Sequence, residues 1–412
     1  MKYGCIAEKL GHSFSKEIHS YLADYPYELC EIAPDKLGEF MRAKDFLAIN
    51  VTIPYKQDVI PYLDEISETA KSIGAVNTVV NKNGRLYGYN TDFFGMKTLM
   101  LTNGISPSGK KALVLGSGGT SKTAVAVLED MGAVEIIKVS RTARDGAVTY
   151  EDAYAKHSDA ELIVNTTPVG MYPNIGVAPV EIDRFPRLEA VVDAVYNPLR
   201  SRLVSDALEK GVKAVGGLYM LVAQAARACE LFIDTEISAE KISRVFQIMY
   251  KRTENVVLIG MPASGKSTVG KLVAEKLGMS FKDSDEEIVR MTGKAIPDIF
   301  AESGEAEFRK IEAEAIKKLS AEKNTVIATG GGAILNPESV RLLRENGRIY
   351  FLDRPLEWII PTDDRPTASS RDALEKRYEE RYPIYSSVCD VRVKTLETAE
   401  ENAEWIKEDF LK

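Results

Sequence analysis

The sequence predicts an α/β protein built on parallel sheets, and three observations carry that expectation. Apolar runs alternate with helical patterns almost throughout the chain. One such run ends in a glycine turn, KALVLGSGGTSKTAVAVL, with Gly116, Gly118 and Gly119 before the helical stretch. Another ends in a longer loop, NVVLIGMPASGKSTVGKLVAEKLG, with Gly260, Gly265, Lys266 and Ser267. At 412 residues the chain is too long for one ordinary core, so two or three domains are expected.

The strand candidates of the middle region are 112–115, 135–139, 162–165 and 190–193, and a later series is 256–259, 325–329 and 348–352. The polar stretch TNGISPSGKK, residues 102–111, reads as a connector ahead of the first glycine turn. Beyond Gly217, Met220, Leu221, Ala225 and Ala228 are spaced for one apolar helix face, and Ile242, Val245, Phe246 and Met249 for another. Few residues then separate that helix from the run at 256, so a further unit is expected to start near 250. The closing AEENAEWIKEDFLK reads as an amphipathic helix. The expected domains are 1–104 completed by helices within 217–250, then 105–216, then 251–412.

Composition narrows the function classes. The chain is 45% hydrophobic and 28% charged, as globular proteins are. A net charge of −8 gives no global attraction for nucleic acid or an anionic membrane, so anionic ligands need local cations and backbone amides. The four cysteines, Cys5, Cys30, Cys229 and Cys389, have neither paired nor metal-like spacing and are expected reduced. The opening MKYGCIAEKLGHS lacks a signal-peptide core, and no apolar run approaches the ~18 residues of a membrane span, so a cytoplasmic location is expected. The expected partners are small molecules, and the expected assembly is a monomer or homodimer.

The first glycine turn sits between a strand and a helix, as a turn admitting a dinucleotide pyrophosphate does, although its third position is Ser121. After the next strand comes VSRTAR, where a carboxylate would grip the ribose of NAD; Arg141 suits a 2′-phosphate instead. The N-terminal region adds hydroxyls, amides, a cation and a carboxylate: Ser13 and Ser15 on one side of an expected extended segment, Asn50, Thr52, Lys56, Asn77, Asn90 and Asp92. Singly these are ordinary turn and surface residues. As a set they suit a sugar-like acid.

Residues 1 to about 250 resemble shikimate dehydrogenase, through GHSFS, NVTIPYK, GAVNT, GYNTD, GSGGTS, NTTPVGM and GLYMLVAQA in family order. The resemblance implies a Rossmann-type NADP domain beside an α/β substrate domain. It implies that Lys56 and Asp92 form the catalytic pair, with Ser13, Ser15, Thr52, Asn77, Tyr196 and Gln224 binding substrate. Gly116, Ser117, Gly118, Gly119 and Thr120 would carry the pyrophosphate of NADP(H), Arg141 its 2′-phosphate, and Gly217 would lie near the nicotinamide. The paired serines favour shikimate over quinate. One departure is that Ser140 precedes Arg141 and Arg144 follows it by three residues, where the family commonly has Asn and a spacing of four.

The second loop, GMPASGKS, matches the P-loop pattern in full. Its amides from Gly260, Ser264, Gly265 and Thr268 would cradle the phosphates of ATP or GTP, Lys266 would reach the terminal ones, and Ser267 would bind Mg²⁺. FKDSDEEI places Asp283 and Asp285 on one side of a strand end, for metal and hydroxyl contacts respectively. Arg309, the glycines of ATGGGAIL and Arg381 complete a set that resembles shikimate kinase over residues 255 to about 400. That resemblance implies Asp285 on the reacting hydroxyl, Arg309 and Arg381 on the acceptor carboxylate, Gly331 on the ring hydroxyls, and Arg365 as the lid arginine. The lid departs from the family: LEWIIPTDDRPTASS is short and sets Asp363 and Asp364 before Arg365, and such carboxylates repel phosphates.

Together these readings give a bifunctional enzyme of consecutive steps, NADPH reduction of 3-dehydroshikimate and ATP phosphorylation of shikimate at its 3-hydroxyl. Two rivals stay open on the sequence. The second half could sense nucleotide without turnover, which the acidic lid favours. Alternatively, a quinate/shikimate dehydrogenase could be joined to a kinase for another small acceptor.

Overall fold

A computed structural model describes residues 1–10, 14–144, 146–359 and 371–412. Contacts divide the chain into two compact units. The first holds Met1–Met171, Val177–Asn197 and Leu203–Met249; the second holds Tyr172–Gly176, Pro198–Arg202 and Tyr250–Lys412.

The first unit contains two sheets. Six strands make the first: β1 (Tyr3–Ala7), β2 (Tyr27–Glu31), β3 (Ala48–Val51), β4 (Glu65–Ile66), β5 (Thr78–Lys82) and β6 (Arg85–Tyr89), in the order β2-β1-β3-β5-β6-β4. Strand β5 is antiparallel to both β3 and β6. Asn83 and Gly84 close the β5–β6 hairpin, with φ of 55° and 83°. Two left-handed residues give the turn whose twist matches a two-residue hairpin. One face of the sheet buries Ile6, Ile49, Val51, Val79 and Leu86. The other, through Cys5, Ala48 and Val80, packs on Ala228 and Phe232 of helix Leu218–Ile233.

That helix is buried on nearly every side, not along the single face its spacing predicts. The reason is a second covering layer: helix Thr91–Thr102 lies against it so closely that a Cβ on Gly95 would stand 2.6 Å from the Met220 carbonyl oxygen. A helix apolar all round is one enclosed all round.

The second sheet is parallel throughout: β7 (Lys111–Leu115), β8 (Glu135–Val139), β9 (Leu162–Asn165), β10 (Ala190–Asp193) and β11 (Lys213–Val215), in the order β11-β10-β9-β7-β8. The direction of strand succession reverses between β7 and β9, the point where doubly wound sheets bind ligands. The four strands expected here appear within one residue of their predicted limits.

In the second unit β12 (Asn255–Ile259), β13 (Ser280–Asp283), β14 (Thr325–Ala328), β15 (Gly347–Asp353) and β16 (Val391–Lys394) form a parallel sheet in the order β13-β14-β12-β15-β16. Central β12 is buried on both faces. Val257 and Ile259 enter one cluster, while Val256 and Leu258 enter the other. Within this unit the Arg200 guanidinium donates to the carbonyls of Arg344 and Gly347 at 2.9 and 2.7 Å, neutralising the end of helix Pro337–Asn346. The expected boundaries assigned 198–202 elsewhere, because a cap made by a residue so distant in sequence leaves no local pattern.

Among the buried polar groups of the first unit is His19, stacked on Tyr27 at 4.0 Å with its Nδ1 2.6 Å from the Tyr25 hydroxyl. Burial lowers its pKa from 6.5 to about 3, so the folded chain keeps it neutral where the unfolded chain binds a proton. Its contribution to stability is complete above pH 6.5 and is lost as pH falls toward about 3. The urea midpoint of the first unit is expected to decline through that window. His19→Phe, which keeps the stack, should make the decline shallower; an unchanged slope would show that His19 plays no part in it.

Candidate active sites

In the first unit, strand direction explains how residues distant in sequence converge. Two antiparallel steps, β3 to β5 and β5 to β6, leave β6 running the same way as β3. The residues after β3, before β5 and after β6 therefore meet at one edge of the sheet. They carry Lys56, Asn77 and Asp92 respectively. Buried Tyr55 anchors the loop holding Lys56, whose carbonyl accepts the Val76 N–H at 2.8 Å. Asp92 lies in the first turn of helix Thr91–Thr102, capped by the Asn90 side chain accepting from the Phe93 N–H. Lys56 Nζ donates to Asp92 Oδ2 at 2.5 Å, with both side chains largely shielded.

A buried amide and hydroxyl network backs this pair. Asn77 Oδ1 accepts the Thr91 N–H at 2.7 Å, its Nδ2 donates to Thr91 Oγ1, and Thr91 Oγ1 donates to Gln224 Oε1 at 3.3 Å. Asn50 Nδ2 donates to Thr78 Oγ1, and the Tyr27 hydroxyl donates to Asn50 Oδ1 at 2.7 Å. Thr78 and Thr91 are supports that residue-by-residue reading passed over. Thr52 follows β3, its N–H bonded to the Ile6 carbonyl. Ser15 opens helix Ser15–Leu22 instead of lying on an extended segment, because Phe14 already has helical dihedrals. The Phe14 ring is 5.8 Å from that of Tyr196, and burial pushes the Tyr196 phenol upward. Ser13 lies outside the described residues.

The turn after β7 has the geometry a dinucleotide needs. Gly116 has φ 112°, and a Cβ there would stand 2.7 Å from Thr166 Oγ1. Around Gly118 and Gly119 a Cβ would meet nothing within 4 Å, and the N-cap of helix Gly119–Asp130 is Gly118, which has no side chain to cap the amides of the first turn beside Ser117 and Thr120. Arg141 is exposed just past β8, the neighbour of β7. A Cβ on Gly217 would fall 2.3 Å from the Ala194 carbonyl oxygen, so only glycine lets this helix start approach β10. These residues fit NADP(H): amides for the pyrophosphate and a guanidinium for the 2′-phosphate.

In the second unit the P-loop surrounds a cavity of about 240 Å³, lined by Lys266, Ser267, Thr268, Asp283, Asp285 and Gly330 among others. Gly260 and Gly265 take φ of 153° and 90°, and a Cβ on Gly260 would press on the Leu352 carbonyl oxygen and Ser264 Oγ. Lys266 Nζ donates to the carbonyls of Gly260 and Met261 at 2.9 and 2.8 Å. Ser267 Oγ donates to Asp283 Oδ2 at 2.6 Å, and Asp283 Oδ1 accepts the Asp285 N–H at 2.9 Å. Asp285 is thus helical, in the first turn of Ser284–Thr292, where the sequence suggested that both aspartates shared a strand end. Asp283 caps that turn, which separates the two carboxylates by role. Among the described residues no three His, Cys, Asp or Glu side chains form a metal cage. The hydroxyl of Ser267 and the carboxylate of Asp283 still fit Mg²⁺, which binds through one or two protein oxygens together with phosphates.

The acceptor end is built on the glycines after β14. Arg381 Nη1 and the Tyr385 hydroxyl donate to the Gly331 carbonyl at 3.0 and 2.5 Å. Arg309 Nη1 donates to Glu312 at 2.6 Å and Nη2 to Glu305 at 2.9 Å. Burial, opposed by Arg309, raises the Glu312 carboxyl above its usual range. Glu312 escaped the sequence reading, although its place one turn after Arg309 was the available signal. Helix Ile296–Ser320 breaks at Gly304, where φ is 75°. Arg365, with Asp363 and Asp364, lies outside the described residues.

The shikimate dehydrogenase (NADP⁺) of Clostridium beijerinckii is 37% identical over 270 residues, covering 61% of this chain and 98% of that protein. The chain belongs to the shikimate dehydrogenase family. The family model for the shikimate dehydrogenase substrate binding domain matches residues 5–79, and the shikimate kinase model matches residues 262–411. The chain therefore carries a shikimate kinase domain in its second half. A chorismate mutase/shikimate 5-dehydrogenase fusion protein from Clostridium acetobutylicum superposes with a TM-score of 0.57 at 35% identity, covering 60% of this chain and 96% of that one. The Thermus thermophilus shikimate 5-dehydrogenase, solved in complex with NADP(H) and shikimate, superposes with a TM-score of 0.55 at 30% identity, covering 60% and 99%.

Two outcomes are expected of these sites. Gly95→Ala forces the helices carrying Asp92 and Gln224 apart, so it should lower reduction strongly while leaving phosphorylation intact; equal activity would mean the pair is not held by that contact. Arg141→Ala should raise the KM for NADPH about tenfold or more, the worth of a charge-assisted contact, and leave that for NADH unmoved. Parallel changes for both cofactors would remove Arg141 from the 2′-phosphate.

Proposed function

We propose that residues 1–104 with helices of 217–250 form the substrate domain, 105–216 the NADP domain and 251–412 the kinase domain of one bifunctional shikimate-pathway enzyme. The first site reduces 3-dehydroshikimate to shikimate; the second phosphorylates shikimate to shikimate 3-phosphate. The observation that carries the second activity is one cavity lined both by the phosphate-loop residues Lys266 and Ser267 and by the acceptor-side residues Asp285 and Gly330. A nucleotide sensor has no use for acceptor groups in that cavity.

NADPH, when bound, supplies hydride to the carbonyl carbon. Lys56 Nζ gives its proton to the developing alkoxide and regains one from solvent. Asp92, 2.5 Å away, accepts from the substrate hydroxyl and keeps the ammonium aimed. Asn77, Gln224, Thr52, Ser13, Ser15 and Tyr196 hold the remaining hydroxyls and the carboxylate. In the kinase domain Asp285 accepts the proton of the 3-hydroxyl as its oxygen attacks the γ-phosphorus and the bond to ADP breaks. Lys266 balances charge on the transferring group, and Ser267 and Asp283 hold Mg²⁺. Arg309, Arg381 and Gly331 fix the acceptor, and Arg365 serves as the lid arginine. A cytoplasmic location supplies both NADPH and ATP, and a monomer or homodimer suffices for both sites. Among the described residues no helix is long and apolar enough to cross a membrane.

One assay tests this reading. The purified chain with 3-dehydroshikimate, NADPH, Mg²⁺ and ATP should oxidise NADPH and yield shikimate 3-phosphate. Lys56→Ala should cut reduction about 10²- to 10⁴-fold, the usual weight of a positioned acid, and spare phosphorylation of supplied shikimate. Lys266→Ala should do the reverse. Shikimate accumulating unphosphorylated in the unaltered protein would sink the bifunctional reading.

A further inference from the structure

Helix Arg371–Val388 carries two arginines one turn apart, Arg377 and Arg381. Residues at i and i+4 share a helix face, and like charges so placed repel. Arg381 is buried and committed to the Gly331 carbonyl. Arg377 Nη1 is shielded from solvent as well, yet it has no hydrogen-bond partner among the described residues. Burial, and next the Arg381 charge, lowers the proton affinity of Arg377; Arg309 acts in the same direction, while Glu305 and Glu380 oppose it. A guanidinium stays ionised regardless. The fold therefore places a third cation beside Arg309 and Arg381, against two repelling neighbours and with a buried donor left unmade.

Buried donors are almost always satisfied, and an exception calls for a ligand or a function. An arriving anion would answer both costs, meeting the open donor and offsetting the repulsion. Arg309 and Arg381 are the residues read as holding the acceptor carboxylate, and a carboxylate has two oxygens with room for several donors.

We propose that Arg377 is a further specificity residue of the kinase site: with Arg309 and Arg381 it receives the acceptor's carboxylate, so that the site selects polyols bearing an anionic group over neutral ones. The proposal rests on the reading of the second unit as a kinase for shikimate. A carboxylate held from several sides cannot pivot, and the ring then presents a fixed hydroxyl to Asp285.

The test uses the full chain with Mg·ATP and two acceptors, shikimate and its neutral carboxamide. Arg377→Gln should raise the KM for shikimate about tenfold or more, as loss of a charge-assisted bond does, with kcat and the KM for ATP little changed. The KM for the carboxamide should be the same in variant and unaltered protein, and Arg377→Lys should restore part of the loss for shikimate. Unchanged dehydrogenase turnover and an unchanged thermal midpoint show that the variants are folded. An equal KM rise for acid and amide, or no rise for the acid, overturns the proposal while leaving the kinase reading intact. Failure of the unaltered chain to phosphorylate shikimate overturns the kinase reading and this proposal with it.

Discussion

In a sheet of parallel strands every carboxyl end points to the same edge, and most of this chain's chemistry depends on that constraint. Strand interiors such as β12 are buried on both faces and have no room for polar side chains. Polar groups collect where strands stop and helices begin, and there the helix amides add partial positive charge. Gly116 follows β7, Arg141 β8, Gly260 β12, and the 330–332 glycines β14, each just past a carboxyl end. The first sheet obeys the same constraint only because its one reversed strand, β5, is entered and left by antiparallel steps. Without the Asn83–Gly84 turn, Asp92 would leave the sheet at the edge opposite Lys56.

Much of this was legible in the sequence, for reasons particular residues make plain. Strands β9 and β10 are short, continuous apolar runs buried on both faces, so composition alone marks them. The P-loop was legible because its glycines answer backbone demands that no other residue meets: Gly265 at φ 90°, and Gly260 against the Leu352 carbonyl. The first sheet was less legible. Exposed β2 and two-residue β4 carry no clear pattern. What stayed hidden depends on distance in space. Thr91 linking Asn77 to Gln224 and Arg200 capping a helix 140-odd positions later are pairings that spacing cannot express.

Net charge −8 makes the placement of local cations and backbone amides decisive, because no global field draws in anionic ligands. The kinase domain does this by pairing unequally. Arg309 is held by two carboxylates, which raise its proton affinity against the effect of burial. Arg381 instead donates to a carbonyl, which fixes its position without neutralising it. One arginine is thereby balanced by neighbouring carboxylates, and the other is held in place by a neutral carbonyl. In the dehydrogenase half Lys56, at the sheet edge, is paired with the carboxylate of Asp92.

The described residues read as belonging to each site fall within one unit: Lys56, Asn77, Asp92 and Gln224 in the first, Lys266, Asp283, Asp285, Arg309 and Arg381 in the second. What linkage imposes is stoichiometry, since every copy of the reducing site is made with one copy of the phosphorylating site. Reduction is reversible and creates a hydroxyl; phosphoryl transfer consumes a hydroxyl and spends the free energy of ATP. Placing a downhill step on the product of a reversible one keeps the first reaction running forward by mass action, and a fixed one-to-one ratio guarantees the capacity to do so. That benefit requires no passage of shikimate between the sites and follows from the chemistry of the two steps.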